Sequence, residues 1–372
     1  MTDQLDSVHM ARALSLAERG LSNTDPNPSV GCVIVQGGEI VGEGWTAPAG
    51  GPHAERVALA AAGTRAKGAT VYVTLEPCCH VGRTGPCTQA LIAAEVERVV
   101  YTFDDPNPTV TGRGAKELRA AGIKVESGLL SAAASELNRG FISRMLRHRP
   151  WVRCKVAASL DGRTALSNGV SQWITSPQAR ADVHGWRARS SVILTGIGTV
   201  LADDPSLTAR VADSVEAVHQ PVRVILDSAL RTPPDAKLLT LAGQSGIFTC
   251  HDTEQAERTF SANTWVCRVP ADAGGQCDLE AVMSELGQRQ FNDIWVEAGS
   301  RLNGALVAAG LVDELIIYLA PVALGTAARG MFDLGTLVRM DQRFEFEIAE
   351  VKQIGPDLRL MFRPSNVARP AA

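Results

Sequence analysis

The chain has 372 residues, 45% hydrophobic and 20% charged, with a formal net charge of −4, which is enough for two or three globular cores and carries no electrostatic footprint for nucleic acid. Aromatic residues, at 5%, are too sparse for a base-stacking platform. The acidic N-terminus lacks an apolar secretory core, and the longest nearly apolar run, 315–324, falls far short of the roughly 20 residues of a membrane helix. The eight cysteines are too scattered for a disulfide scaffold. A cytoplasmic protein with reduced thiols, and with neither membrane nor nucleic acid as partner, is expected.

Asp6 is placed to cap a helix in which Met10, Ala13, Leu14 and Ala17 share a face. The stretch "VGCVIVQGGEIVGEG" reads as two strands about a Gly-Gly turn. Residues 53–62 read as an Ala-rich helix, and "ATVYVTLEP" as a β-branched strand stopped by Pro77. A helix over 86–97 has Pro near its start. "RVVYTF" is a strand, and "GRGAKELRAAGIKVESG" adds a helix and a strand. Strands alternating with helices predict a three-layer α/β domain over 1–147.

The basic run Arg144, Arg147, Arg149 and Arg153 reads as the solvated end of a helix and a linker. Beyond it, "VRCKVAAS", "SVILTGIG", "PVRVILD", "GIFTC", "DIWVEAG" and "ELIIYLAP" are strands, and "FEFEIAEVKQIGPDLRLMF" is a terminal hairpin. Residues 150–366 are therefore expected to form a second α/β domain, mostly parallel with an antiparallel end.

The chemistry concentrates in "GPHAERVAL" and "LEPCCHVGRTGPC". His53, then Glu55 two residues on, followed downstream by Pro77-Cys78, matches the signature of zinc nucleobase deaminases. Three protein ligands leave a fourth zinc position for water. Zinc lowers the pKa of that water from about 15.7 to about 7, and a nearby carboxylate moves the protons of hydrolytic deamination. Cys87 begins a helix, where the dipole favours a thiolate. Cys79 and His80 compete as ligands, but Cys78 is the residue that directly follows Pro77. His53, Cys78 and Cys87 are the expected set for one zinc per chain, with Glu55 as the catalytic proton carrier, Cys79 packed inward and His80 near the substrate.

A second site is suggested less directly. "LTGIGTVLADDPSLTAR" carries Gly196 and Gly198 after a strand, but Leu201 breaks the G-x-G-x-x-G dinucleotide fingerprint. In "WVEAGSRLNGAL" a strand ends at Glu297, and a helix opens at Ser300 with free N–H groups suited to phosphate.

Together "DPNPSVGCVIV", "GPHAE", "TLEPCCHVGRTGPCT", "DPNPTVTGRG", "KVAASLDGRTA", "SQWITS", "GIGTVLADDPSLTAR", "PVRVILDS", "VEAGS" and "YLAPVALG" resemble the bifunctional riboflavin-biosynthesis enzymes over nearly the whole chain. That resemblance implies a cytidine-deaminase-like α/β/α domain followed by a dihydrofolate-reductase-like α/β domain. It implies deamination of a diaminohydroxyphosphoribosylaminopyrimidine. NADPH-dependent reduction of the ribosyl chain to ribityl would follow. It puts zinc on His53, Cys78 and Cys87, the proton donor at Glu55, and Asn27, His80 and Arg83 in pocket loops. By matching positions it implies NADPH contacts at Ala157, Trp173, Thr199, Asp203, Gly299, Ser300, Arg301, Leu302, Asn303, Gly304 and Ala305. Substrate contacts fall at Ser171, Arg187, Leu207, Arg210 and Glu297, with the arginines suited to the substrate phosphate. The roles of Lys155 and Asp161 stay open, as does the reductase proton donor. A homo-oligomer, dimer or tetramer, is implied as well. A nucleic-acid deaminase would share the H-x-E pair but would need basic or aromatic strand-binding surfaces. A scaffold with a structural zinc would have no use for Glu55 at an open coordination site.

Overall fold

The computed structural model describes residues 2–21, 23–80, 85–211, 218–252 and 260–365. It divides into two compact units, Met1–His148 and Arg149–Ala372.

The first unit runs α1 (Thr2–Ala17), β1 (Gly31–Gln36), β2 (Glu39–Trp45), α2 (Ala54–Ala62), β3 (Thr70–Val73), α3 (Cys87–Ala93), β4 (Arg98–Tyr101), α4 (Arg113–Ala120), β5 (Lys124–Ser127), α5 (Ser131–Leu137) and α6 (Arg139–Arg147). Its sheet has the order β2-β1-β3-β4-β5; β1 is antiparallel to both neighbours, and β3, β4 and β5 run parallel. Strand side chains alternate between faces. Cys32, Ile34, Val71, Val73 and Val99 pack with Ala58, Leu91 and Leu118 of α2, α3 and α4. Val33, Val35, Tyr72 and Val100 pack with Met10, Ala13 and Leu16 of α1. Three layers result.

Gly37 and Gly38, at φ +59° and +86°, form the hairpin turn, whose positive dihedrals match strand twist. On β2, a Cβ at Gly44 would lie 2.5 Å from the Ala54 carbonyl oxygen, so α2 sits directly on bare strand backbone. Three details differ from expectation. Asp6 lies inside α1 rather than capping it, and accepts the Tyr72 hydroxyl and two Arg98 nitrogens at 2.5, 3.0 and 2.6 Å. Leu16, not Leu14, shares the buried face with Met10, Ala13 and Ala17. Helix α3 stops at Ala93, because Glu95 takes the left-handed conformation at φ 54°.

The second unit runs β6 (Trp151–Ser159), β7 (Arg163–Ala165), α7 (Pro177–Arg189), β8 (Val192–Gly196), α8 (Ile197–Asp203), β9 (Val222–Leu226), α9 (Lys237–Thr240), β10 (Ser245–Thr249), β11 (Thr264–Arg268), α10 (Leu279–Gln288), β12 (Asp293–Glu297), α11 (Ser300–Ala308), β13 (Glu314–Ala320), β14 (Arg329–Gly330), β15 (Phe346–Ile354) and β16 (Asp357–Pro364). The large sheet has the order β11-β10-β9-β8-β12-β6-β13-β16-β15, parallel from β11 to β13 and antiparallel in the terminal hairpin. One face (Val152, Cys154, Val156, Leu194, Val296) packs against Met283 and Leu306 of α10 and α11. The other (Ile193, Trp295, Ile316, Tyr318) packs against Ala179 and Val183 of α7. The chain walks outward from β8 to β11 and then returns to insert β12 between β8 and β6. The carboxyl ends of strands at such a reversal form a crevice suited to ligands.

The basic run is not solvated. Arg144 donates to the Pro26 carbonyl at 2.7 Å, Arg149 pairs with Asp313 at 2.8 Å, and Arg153 pairs with Asp293 and Glu314. No helix of the described residues is long and apolar enough to cross a membrane.

Candidate zinc and cofactor sites

Three segments meet above the first sheet. His53, in extended conformation, is the N-cap of α2, which places Glu55 in the first turn. Cys78 follows the loop after β3, and Cys87 opens α3 behind Pro86. The Cys78 and Cys87 sulfurs lie 3.5 and 3.4 Å from His53 Nδ1, and all three candidate ligand atoms fall within 4.8 Å of one another. About 3.5 Å is what separates N and S ligands around a tetrahedral zinc with bonds of about 2.0 and 2.3 Å.

The donor chemistry fits a divalent cation. Hydrogen bonding from Cys87 draws the Cys78 thiol well below its usual range, while the same bond and burial hold Cys87 far above it. Two thiols so placed carry one negative charge between them, and a cation is needed for both to ionise. Glu55 is buried beside them and faces Cys87; burial raises its carboxyl, as suits a group that must hold a proton.

The supporting shell was not read from the sequence. Glu76 is buried and accepts backbone N–H bonds from Asp105, Gly112 and Ala115 at 3.2, 2.9 and 3.0 Å. It thereby fixes the loop before Cys78 to the start of α4. The Thr88 N–H bonds the Cys78 carbonyl at 3.2 Å, and Arg56 Nε reaches the Gly85 carbonyl at 3.3 Å. Cys79 is half-buried, 4.0 Å from the Thr109 carbonyl, rather than fully packed inward. His80 is exposed, Asn27 is half-buried, and Arg83 lies outside the described residues.

The second site is centred on Glu297, at the carboxyl end of β12. Arg187 of α7 donates to it from Nε and Nη2 at 2.5 and 2.9 Å, the Trp295 indole donates at 2.8 Å, and Lys155 Nζ lies 3.8 Å away. Burial works to raise the Glu297 carboxyl, but Arg187 and then Lys155 hold it well below the usual range. Lys155, whose role the sequence left open, faces Glu297 because strand register pairs the two positions. Ala157 shares that face by alternation. Trp295 was legible in principle: two residues from Glu297 on one strand, it had to share its face. Asp161 is spent on the Leu324 and Gly325 N–H groups at 3.1 and 2.8 Å.

The other predicted positions fall in four groups. Leu207 is buried in the core beneath α7, and the Thr208 carbonyl beside it accepts Arg187 Nη1 at 3.0 Å. Arg210 is exposed, with Nη2 3.2 Å from His184 Nε2. Ser171 is half-buried and Trp173 is exposed in the segment before α7, with the Arg180 guanidinium 4.3 Å above the Trp173 ring. Thr199 and Asp203 lie on α8, which follows β8 directly. Gly299, the N-cap of α11, is exposed, as are Arg301 and Ala305 within it, and Ser300 and Leu302 are half-buried. Asn303 and Gly304 turn inward. The Asn303 amide binds the Ala298 carbonyl at 3.2 Å, its N–H binds Gly299, and the 333 backbone fills the space beside Gly304. At this helix start Ser300, Arg301 and Leu302 reach the surface, whereas the side chain of Asn303 is turned into the protein.

Residues 3–103 match the cytidine and deoxycytidylate deaminase zinc-binding region, and residues 150–360 match the RibD C-terminal domain. The chain is 49% identical to the riboflavin biosynthesis protein RibD of Escherichia coli, with 95% of this chain and 98% of that protein aligned. It is 47% identical to RibD of Haemophilus influenzae, over 97% of this chain and 98% of the relative. The solved structure of Acinetobacter baumannii RibD superposes with a TM-score of 0.91 at 43% identity, covering 98% of this chain and all of that one. A diaminohydroxyphosphoribosylaminopyrimidine deaminase/5-amino-6-(5-phosphoribosylamino)uracil reductase from Thermotoga maritima superposes at 0.87 with 31% identity, covering 98% of this chain. The chain therefore belongs to the bifunctional riboflavin-biosynthesis family, which joins a zinc-dependent pyrimidine deaminase to an NADPH-dependent reductase.

Proposed function

We propose that His53, Cys78 and Cys87 hold the zinc ion and that Glu55 carries the proton of deamination. A zinc ion held there would supply a water that ionises near neutral pH. Glu55, buried and raised in pKa, takes that proton, delivers it to the pyrimidine ring nitrogen, and assists departure of ammonia. The observation that carries this reading is the approach of both sulfurs to one imidazole nitrogen, at 3.5 and 3.4 Å, with a buried carboxylate alongside.

In the second unit the deaminated product lies against Glu297, Arg187, Ser171, Leu207 and Arg210. NADPH would supply the hydride when bound, and Ala157, Trp173, Thr199, Asp203 and the Gly299–Ala305 segment, gathered about the carboxyl ends of β12 and β8, would hold it. Ring opening of the ribosylamine exposes the carbon that receives the hydride, and the protein's part is position and charge. Each activity belongs to one unit, 1–147 for the deaminase and 150–366 for the reductase. The protein works in the cytoplasm as a homo-oligomer on a small phosphorylated pyrimidine, without nucleic acid.

Glu55→Ala tests the core of this reading. The variant retains zinc, loses about 10²- to 10⁴-fold in ammonia release, and still oxidises NADPH when given the deaminated product. Loss of both activities would contradict separate sites.

A further inference from the structure

The carboxyl ends of β9 and β10 hold a second kind of chemistry. A cavity of about 450 Å³ opens there, lined by Ile197, Ser228, Arg231, Cys250, His251 and Gln276. Cys277 sits behind Cys250, with the two sulfurs 3.9 Å apart. Ser228 ties both cysteines. Its carbonyl accepts the Cys250 N–H at 3.2 Å, and its hydroxyl accepts the Cys277 N–H at 2.9 Å. The Cys277 thiol also points at the Phe248 carbonyl, 3.5 Å away. These backbone ties hold two thiols, 27 positions apart in the chain, face to face. A side-chain rotation that closes about 2 Å brings the sulfurs to bonding distance.

The two thiols differ in a way that assigns an order of reaction. Cys250 is half-buried and lines the cavity. Cys277 is buried, and burial pushes its thiol up to about 12. Only Cys250 is open to an oxidant entering the cavity, so Cys250 is oxidised first and the buried Cys277 resolves.

We propose that Cys250 and Cys277 form a reversible dithiol–disulfide site, and that its oxidation reshapes the adjoining cavity and weakens use of NADPH. Hydrogen peroxide is the oxidant. The Cys250 thiolate attacks one peroxide oxygen, forming cysteine sulfenic acid and, after protonation, releasing water. The Cys277 sulfur then displaces the sulfenic hydroxyl as a second water, and the disulfide has lost two hydrogens to the oxidant. The link to NADPH rests on the reading that the cofactor crosses the carboxyl ends of the strands. Ile197, the first residue of α8, lines the cavity, and Thr199 and Asp203 lie on that helix. From β12 to β10 is three strand spacings, about 14 Å, a span suited to an extended dinucleotide. Arg231 supplies a guanidinium, and His251 a ring nitrogen, on the cavity wall for its phosphates. Ser228 lines the cavity and ties both cysteines, so drawing the sulfurs together moves the wall.

The zinc-loaded full chain is treated with a modest excess of hydrogen peroxide and mapped as peptides without reduction. The expected result is a single cross-link joining residues 250 and 277, a several-fold rise in the KM for NADPH, unchanged ammonia release, and full reversal by dithiothreitol. Cys277→Ser, untreated, keeps the parent KM and after peroxide shows neither cross-link nor KM change; Cys250→Ala likewise forms no cross-link. Absence of the cross-link, or a sulfinic acid on Cys250 with Cys277 free, overturns the dithiol site. A cross-link that leaves the KM unchanged, or a KM that rises equally in Cys277→Ser, overturns the coupling and places the cofactor away from this cavity.

Discussion

Arg187 grips Glu297 through two parallel bonds, Nε to Oε1 at 2.5 Å and Nη2 to Oε2 at 2.9 Å, and both side chains are 13% exposed. With Lys155 3.8 Å from the same carboxylate, one anion faces two cations in a nearly dry site. The surplus positive charge suits an anionic ligand, as the proposed substrate site requires, and the carboxylate prevents the cations from repelling each other apart.

Replacing Glu297 by Gln strips that counter-charge. The variant is expected to lose about 3–5 kcal/mol of stability in the second unit, the cost of leaving buried charge unpaired. Calorimetry should show a lower transition for that unit alone. NADPH oxidation should fall sharply while ammonia release continues at the parent rate.

The ligand assignment separates neighbouring cysteines. Cys78→Ser should purify with little zinc, because only Cys78 of the two lies 3.5 Å from His53 Nδ1. Cys79→Ser, whose sulfur lies against the Thr109 carbonyl, should retain one zinc per chain by plasma emission analysis. The opposite pattern would move the ligand by one residue.

Glu76→Ala probes the shell beneath the metal. It leaves three backbone N–H groups, of Asp105, Gly112 and Ala115, without acceptors, at about 1–3 kcal/mol for each group left buried. A lower unfolding midpoint of the first unit is expected. So is faster zinc loss to a chelator, since the loop carrying Cys78 is no longer pinned.

Asp105 makes the first unit sensitive to pH. Burial raises its carboxyl from 3.8 to about 7, so the folded chain binds that proton more tightly than the unfolded chain. Its contribution is fully present below the unfolded value and is lost as pH rises toward the folded one. Between pH 5 and 8 the parent should lose on the order of 2–3 kcal/mol that Asp105→Asn does not. Urea unfolding of the two proteins at both pH values measures the difference, and equal slopes would exclude Asp105 as the cause.

The cluster of His53, Cys78 and Cys87 was legible because its pattern is local: H-x-E stands at one helix start and Pro-Cys after one strand end. The alternating apolar pattern likewise marked most strands, since each face of a sheet must find its own core. What was not legible depends on contacts between distant segments. Leu16 rather than Leu14 faces the sheet because the helix rolls to set Met10, Ala13 and Leu16 against Val33, Val35, Tyr72 and Val100, which helical spacing alone does not decide. The arginines after α6 read as solvated because their partners Asp313, Asp293 and Glu314 lie more than a hundred positions away. Lys155 could not be assigned until strand register set it opposite Glu297. The helix start after Glu297 was visible, but the inward turn of Asn303 and Gly304 follows from the 333 segment lying against α11.

Gly44 shows how finely the metal site is levelled. Its missing methyl lets the Ala54 carbonyl rest 2.5 Å from where a Cβ would stand, and His53 is the residue immediately before Ala54. Any side chain there would jack up the end of α2 by an ångström or so, whereas zinc bonds tolerate errors of about 0.2 Å. The altitude of the imidazole is thus set by an atom that the strand does not have, and a search for drifted or retuned relatives could begin at this position, well outside the ring of ligands.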